Sequence, residues 1–242
     1  MDSAVRVART PRWGITDAAV GTVAATILVL LLSAAALRGW PQDPRLSEVL
    51  SYLVVWVPLL GTVLIASWWR GARSLVTDFG FTFHPLDLLW GLTVGVLARL
   101  LAGILEIAGY GRLGSAGGTF GEPVRDLWWV FAALLAPVLI GPVIEELFFR
   151  GLLARAVADS ARSNGGSRRT ATALAIVVSG LVFALVHILT VSTPTAAMVI
   201  GLSTFVFGAA AAVLSQLTGR LGGAIVAHIT FNALVVVPAL MG

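Results

Sequence analysis

Seven apolar stretches, each about 20 residues or longer, leave this chain little freedom in how it folds. They are Ala18–Leu37, Val49–Trp69, Leu86–Ala108, Leu127–Arg155, Ala171–Val191, Thr195–Leu217 and Leu221–Leu240. A helix of that length crosses the hydrocarbon of a bilayer. In hydrocarbon each segment must satisfy its own backbone hydrogen bonds, which points to helices. Of 242 residues, 58% are hydrophobic and 12% are charged, about half the charged fraction of a soluble domain. The expected fold is therefore all-α, a polytopic membrane bundle of about seven spans, within a range of six to eight. Residues 1–17 read as a cytoplasmic tail and 18–242 as one membrane-embedded domain, with the polar motifs concentrated in 141–235.

All 16 basic residues are arginines, and all but Arg99 and Arg150 are scattered between spans or at their ends. That pattern excludes a nucleic-acid face, which gathers its basic residues on one surface. With no cysteine there is neither a disulfide nor a thiol nucleophile. Basic residues in short loops favour the cytoplasmic side. Placing the N-terminus inside puts Arg6, Arg9, Arg12, Arg70, Arg73, Arg155, Arg162, Arg168, Arg169 and Arg220 there. Arg38, Arg45, Arg112 and Arg125 then lie outside. The expected protein is a multi-pass cell-membrane protein with a cytoplasmic N-terminus. Its first span is retained, since no small-residue cleavage site follows it. Trp68, Trp69, Trp128 and Trp129 mark span ends, where aromatic belts form. The segment from Asp78 to Asp87 is expected either to enter the third span directly or to lie flat at the interface.

Inside the fourth span stands Gly141-Pro142-Val143-Ile144-Glu145-Glu146-Leu147-Phe148-Phe149-Arg150-Gly151. Ionisable groups in hydrocarbon cost at least a few kcal/mol, about 2.5–3.5 on insertion scales, and mark function by default. Gly141-Pro142 is expected to interrupt the helix, freeing backbone beside a cavity. Glu146 and Arg150 are four apart and share a face, so an intrahelical ion pair is expected. Glu145 points about 100° away and lacks that partner. The two carboxylates then differ in role, one anchored and one free to take a proton.

Three further polar positions fall inside spans. His187 closes the fifth, and His228 and Asn232 share a face of the seventh. Counted at about 1.5 Å per residue, these groups and Glu145 reach depths that allow one buried cavity. That cavity is expected among the fourth to seventh spans. Arg99 and Glu106, seven apart on one face, read as a packing pair, and His84 as a loop residue. Three chemistries suit the set: water activation by Glu145 and His187 with His228 and Asn232 as oxyanion donors, zinc-dependent hydrolysis, or proton-coupled transport through a Glu/His relay. No His-Glu-x-x-His helix supports the zinc reading. A polar cluster that only binds a peptide or a partner is a further alternative, since such groups also join membrane helices.

Glu145-Glu146-x-x-x-Arg150, Phe183-x-x-x-His187 and His228-x-x-x-Asn232, in that order and in separate spans, resemble the three motifs of the CAAX protease and bacteriocin-processing family of intramembrane proteases. Gly151 fits as well, and Asp78-Phe79-Gly80-Phe81 is similar to the segment before a family helix. The resemblance implies an intramembrane glutamic endopeptidase without a cofactor. Its substrate would be a peptide or membrane protein, cut near its C-terminal part and met in the lipid bilayer. It implies that Glu145 and His187 activate water, that His228 and Asn232 form the oxyanion hole, and that Glu146, Arg150 and Phe183 support the site. The family was once taken for metalloproteases. Its eukaryotic members cut prenylated C-terminal tails, and bacterial members are linked to bacteriocin immunity and peptide maturation.

Overall fold

The computed structural model describes residues 12–113 and 126–241, the side chains of 239–241 excepted. Arg6, Arg9 and Arg125 of the orientation count lie outside these residues. The described residues form helices α1 (Ile15–Ala36), α2 (Pro44–Arg70), α3 (Leu75–Phe79), α4 (Leu86–Tyr110), α5 (Leu127–Ser163), α6 (Arg168–Ile188), α7 (Pro194–Thr218) and α8 (Gly222–Met241). There is no strand among them. Six of these helices are long and apolar enough to span a membrane, and the apolar part of α8, Gly222–Pro238, is shorter. The protein is a multi-pass all-α membrane bundle.

Helix starts follow local chemistry. Asp43 caps α2 by accepting from the Leu46 N–H, and Pro44 takes the first turn, where its missing N–H costs nothing. Thr193 caps α7 ahead of Pro194 in the same way. Ser167 caps α6. The helix ends gather the arginines of the expected inner side. The Arg12 N–H reaches the Arg70 carbonyl at 2.7 Å, Arg70 pairs with Asp17, and Arg155 donates to the Gly219 carbonyl at 2.7 Å. At the opposite end Arg45 pairs with Asp126, and the Trp128 indole donates to Glu48.

The stretch from Asp78 to Asp87 is neither a span nor a flat surface helix. It is a clamp. The Asp78 carboxylate accepts from Ser67 Oγ (2.7 Å) and the Ala72 N–H (2.9 Å), which closes the turn between α2 and α3. Gly80 stands in the left-handed region (φ 68°), and a Cβ there would collide with Arg155 and the Gly219 carbonyl. Its carbonyl accepts from the Leu221 N–H at 2.9 Å, and the Thr82 carbonyl from the Gly222 N–H at 3.1 Å. Phe79, fully buried, packs on Gly151 and tilts against Trp13. Asp87, also buried, receives Arg220 at 2.9 Å and the His84 N–H at 2.7 Å. These bonds tie the start of α4 to the start of α8. His84 thus has a local role at that corner.

α5 corrects a second expectation. The helix is not broken at Gly141-Pro142 but runs through, changing its winding. Val130–Ile140 and Leu147–Leu153 are π-wound, and Gly141–Glu146 between them is α-wound. Pro142 sits in the first turn of the α-wound piece. At 37 residues the helix is about 55 Å long, so it projects beyond the hydrocarbon. Arg99 and Glu106 do pair within α4, at 2.8 Å.

Candidate active site

The centre of the site is an arginine with no exposure. Arg150 donates to Glu146 Oε1 at 2.8 Å and to the Gly208 carbonyl of α7 at 3.1 Å. Its guanidinium lies 4.5 Å from the Phe183 ring centroid, with Phe207 and Phe149 just under 6 Å away. A guanidinium is weakly hydrated and stacks on aromatic faces, which suits burial among rings. Gly208 allows this approach, since a Cβ there would stand 3.2 Å from the Arg150 nitrogen. The expected Glu146–Arg150 pair is present, and both side chains are fully buried.

Glu146 Oε1 has a second partner, Nδ1 of His228 on α8 at 2.8 Å. A carboxylate oxygen accepts, so Nδ1 carries the hydrogen. The other ring nitrogen, Nε2, lies 3.9 Å from Glu145 Oε2. His228 thus stands between the two carboxylates. It can donate from Nε2 only as the imidazolium.

Glu145 differs from its neighbour as the helical period predicts. Among the described residues its carboxylate accepts no hydrogen bond, and Oε2 is buried without a partner. The side chain is 18% exposed, toward a cavity of about 170 Å³. His187 lines the same cavity. Its Nδ1 bonds the Phe183 carbonyl at 2.7 Å. A carbonyl only accepts, so Nδ1–H is fixed there and Nε2 keeps its lone pair in the neutral ring. Phe183 supports both histidines, with ring centroids 4.3 Å from His187 and 5.6 Å from His228.

The cavity is not where the sequence placed it. Its other walls are Thr22, Ala25, Thr26 and Val29 of α1, Val55 and Leu59 of α2, and Phe149, Val186 and Leu189. It lies among the first, second, fourth and fifth spans, not the fourth to seventh. The cause is the 100° step between the two glutamates: Glu146 turns toward α7 and α8, where Arg150, Phe183 and Phe207 fill the space. Glu145 turns the other way. The available signal was slight, Thr22 and Thr26 one turn apart on α1, and the α2 lining is apolar.

Asn232 stands apart from the carboxylates. Its Nδ2 donates to the Pro137 carbonyl of α5 at 2.8 Å. That carbonyl has no backbone donor. The Gly141 N–H bonds Ala136, five residues back, and in the same register Pro137 would need the N–H that Pro142 lacks. One amide hydrogen of Asn232 remains for another acceptor. Among the described residues no three His, Asp or Glu side chains come together as a metal-binding group.

Comparison with known proteins gives one similarity. No curated protein and no solved structure matches the chain. One family model does, type II CAAX prenyl endopeptidase Rce1-like, over residues 127–234. That range holds α5 to α8 and every residue of the three motifs. Residues 127–234, a little under half of the chain, are thus similar to the Rce1-like family of CAAX endopeptidases.

Proposed function

We propose that the protein is an intramembrane endopeptidase in which Glu145 and His187 activate the hydrolytic water. The observation that carries this reading is their shared cavity, with no hydrogen bond to Glu145 among the described residues and the His187 tautomer fixed by the Phe183 carbonyl. A water between them donates one hydrogen to Glu145 and the other to His187 Nε2. Glu145 takes the proton as the oxygen attacks the scissile carbonyl carbon. The carbonyl π pair moves onto oxygen, for which the motif resemblance assigns His228 and Asn232 as donors; neither lines the cavity, so the scissile carbonyl must reach past it toward α8. Collapse of the intermediate breaks the C–N bond, and Glu145 returns the proton to the leaving amine. Glu146, Arg150 and Phe183 hold the histidines in place.

The apolar cavity walls suit an apolar or lipid-modified segment, such as the C-terminal part of a peptide or membrane protein. The test is cleavage of fluorogenic peptides, with a prenylated C-terminal peptide among them, by the full chain in detergent. Wild type and Glu145→Gln are each assayed with and without a chelator. Activity lost with Glu145 and indifferent to the chelator is the expected result. Loss to the chelator with rescue by zinc would replace glutamate chemistry with a metal mechanism. A wild type that binds peptide but never cuts it would make the protein a binding module.

A further inference from the structure

Oε1 of Glu145, unlike Oε2, is not buried, and α2 lies beside it. On α5 at that level is Gly141. A Cβ built on Gly141 would stand 3.2 Å from the Ala136 carbonyl oxygen, 3.7 Å from the Trp56 indole nitrogen and 3.8 Å from Glu145 Oε1. Three polar atoms on two helices therefore converge on the side of α5 where glycine offers only hydrogen. Their chemistry is complementary. The indole N–H only donates, the carboxylate only accepts, and the carbonyl retains a lone pair beyond its bond to the Gly141 N–H. A buried water needs two to four polar partners, and one water there has three.

The indole is held in its plane by a chain of contacts that begins with a proline. In the π register of Val130–Ile140 the Ala132 carbonyl would accept from residue 137, which is proline and has no N–H. Tyr52 on α2 fills that place, its hydroxyl donating to the Ala132 carbonyl at 2.7 Å. Trp56, one turn along α2, stacks on the Tyr52 ring with centroids 4.9 Å apart and planes 20° apart. Trp56 is not among the residues that line the cavity.

We propose that Trp56 is a positioning residue for Glu145, acting through a water that it shares with Glu145 Oε1 and the Ala136 carbonyl on the Gly141 face of α5. This water is distinct from the hydrolytic one, which Glu145 shares with His187. The proposal rests on the endopeptidase reading of Glu145. Its effect is to fix the carboxylate rotamer, so that Oε1, the carboxylate oxygen that is not buried, is held in place for the hydrolytic water.

The test uses the full chain in detergent and a peptide that wild type cleaves. Trp56→Phe keeps the stack on Tyr52 and removes the donor. Gly141→Ala brings a methyl to 3.2–3.8 Å from all three polar atoms and crowds the water between them. Each is expected to lower kcat roughly tenfold, the effect of one lost hydrogen bond, with KM within twofold of wild type. Because both remove the same water, the double variant is expected to be no slower than either single one. Multiplying losses, a change confined to KM, or wild-type kcat in either single variant would each overturn the proposal.

A second readout does not need catalysis. With 5-fluorotryptophan incorporated at the eight tryptophans, the ¹⁹F resonance missing in Trp56→Phe belongs to Trp56. It is expected to shift in Glu145→Gln, and an unmoved signal would overturn the link. If wild type cleaves nothing, the endopeptidase reading fails, and this resonance alone decides whether Trp56 senses Glu145.

Discussion

Glu145 and Glu146 are the same side chain on consecutive residues, and they are expected to fail in opposite ways. Glu146 accepts from Arg150 and His228 in a site with no exposure. Glu146→Gln leaves a buried guanidinium short of its counter-charge, a loss of about 3–5 kcal/mol. Thermal unfolding in detergent is expected to show a large fall in Tm, and activity falls with it. Glu145 accepts no hydrogen bond among the described residues, so Glu145→Gln is expected to unfold like wild type while losing at least about 100-fold in kcat. A stability loss in Glu145→Gln equal to that of Glu146→Gln would contradict the assigned difference. This contrast was legible in the sequence, because the helical period fixes which residues share a face. The Asn232 contact was not. It depends on which carbonyl of α5 lacks a donor, and the π winding that decides this leaves no mark in a uniformly apolar run. The spacing of Pro137 and Pro142, five residues apart, was the available signal.

Helix packing is where small residues decide. A Cβ on Gly95 of α4 would stand 2.6 Å from the Ala227 carbonyl and 2.7 Å from Thr230 Cβ, both on α8. Gly91, one turn earlier, meets Val226 as closely. Gly95→Val therefore separates α4 from the helix that carries His228. We expect a destabilisation of about 1–3 kcal/mol and a larger proportional loss of activity. Leu97→Val, on an outward position of the same helix at 59% exposure, is expected to be silent in unfolding and cleavage assays. The Asp87–Arg220 contact joins residues 133 apart in sequence. No local pattern announces such a pair, although the sequence marked both charges at span ends. A double-mutant cycle with Asp87→Asn and Arg220→Gln is expected to show coupling in Tm, and strictly additive shifts would remove the clamp from its assigned role.

For the whole molecule, the helical membrane bundle was readable from hydropathy alone, while the contribution of α1 and α2 to the cavity was not. Apolar side chains facing a cavity look the same in sequence as those facing lipid. The contacts place Arg12, Arg70, Arg155 and Arg220 at one end and Arg45 at the other. With the arginine-rich end in the cytoplasm, a cysteine introduced at Ser163 is expected to resist a membrane-impermeant maleimide in intact cells. One introduced at Ser47 is expected to react. The chain has no cysteine of its own, so each report is unambiguous, and the reverse pattern would invert the topology. One consequence concerns biosynthesis. Glu146 and Arg150 pair within a single helix, so during synthesis the pair enters the translocon already neutralised, before α6, α7 or α8 exists. His228 arrives last, to a partner already in place. Exchanging Leu147 and Arg150 keeps the composition but leaves the arginine one and two residues from the glutamates, off the face of either. In a glycosylation-based insertion assay of 127–163 the exchanged segment is expected to insert less well than the natural one, and equal insertion would show that the pairing forms only after the bundle assembles.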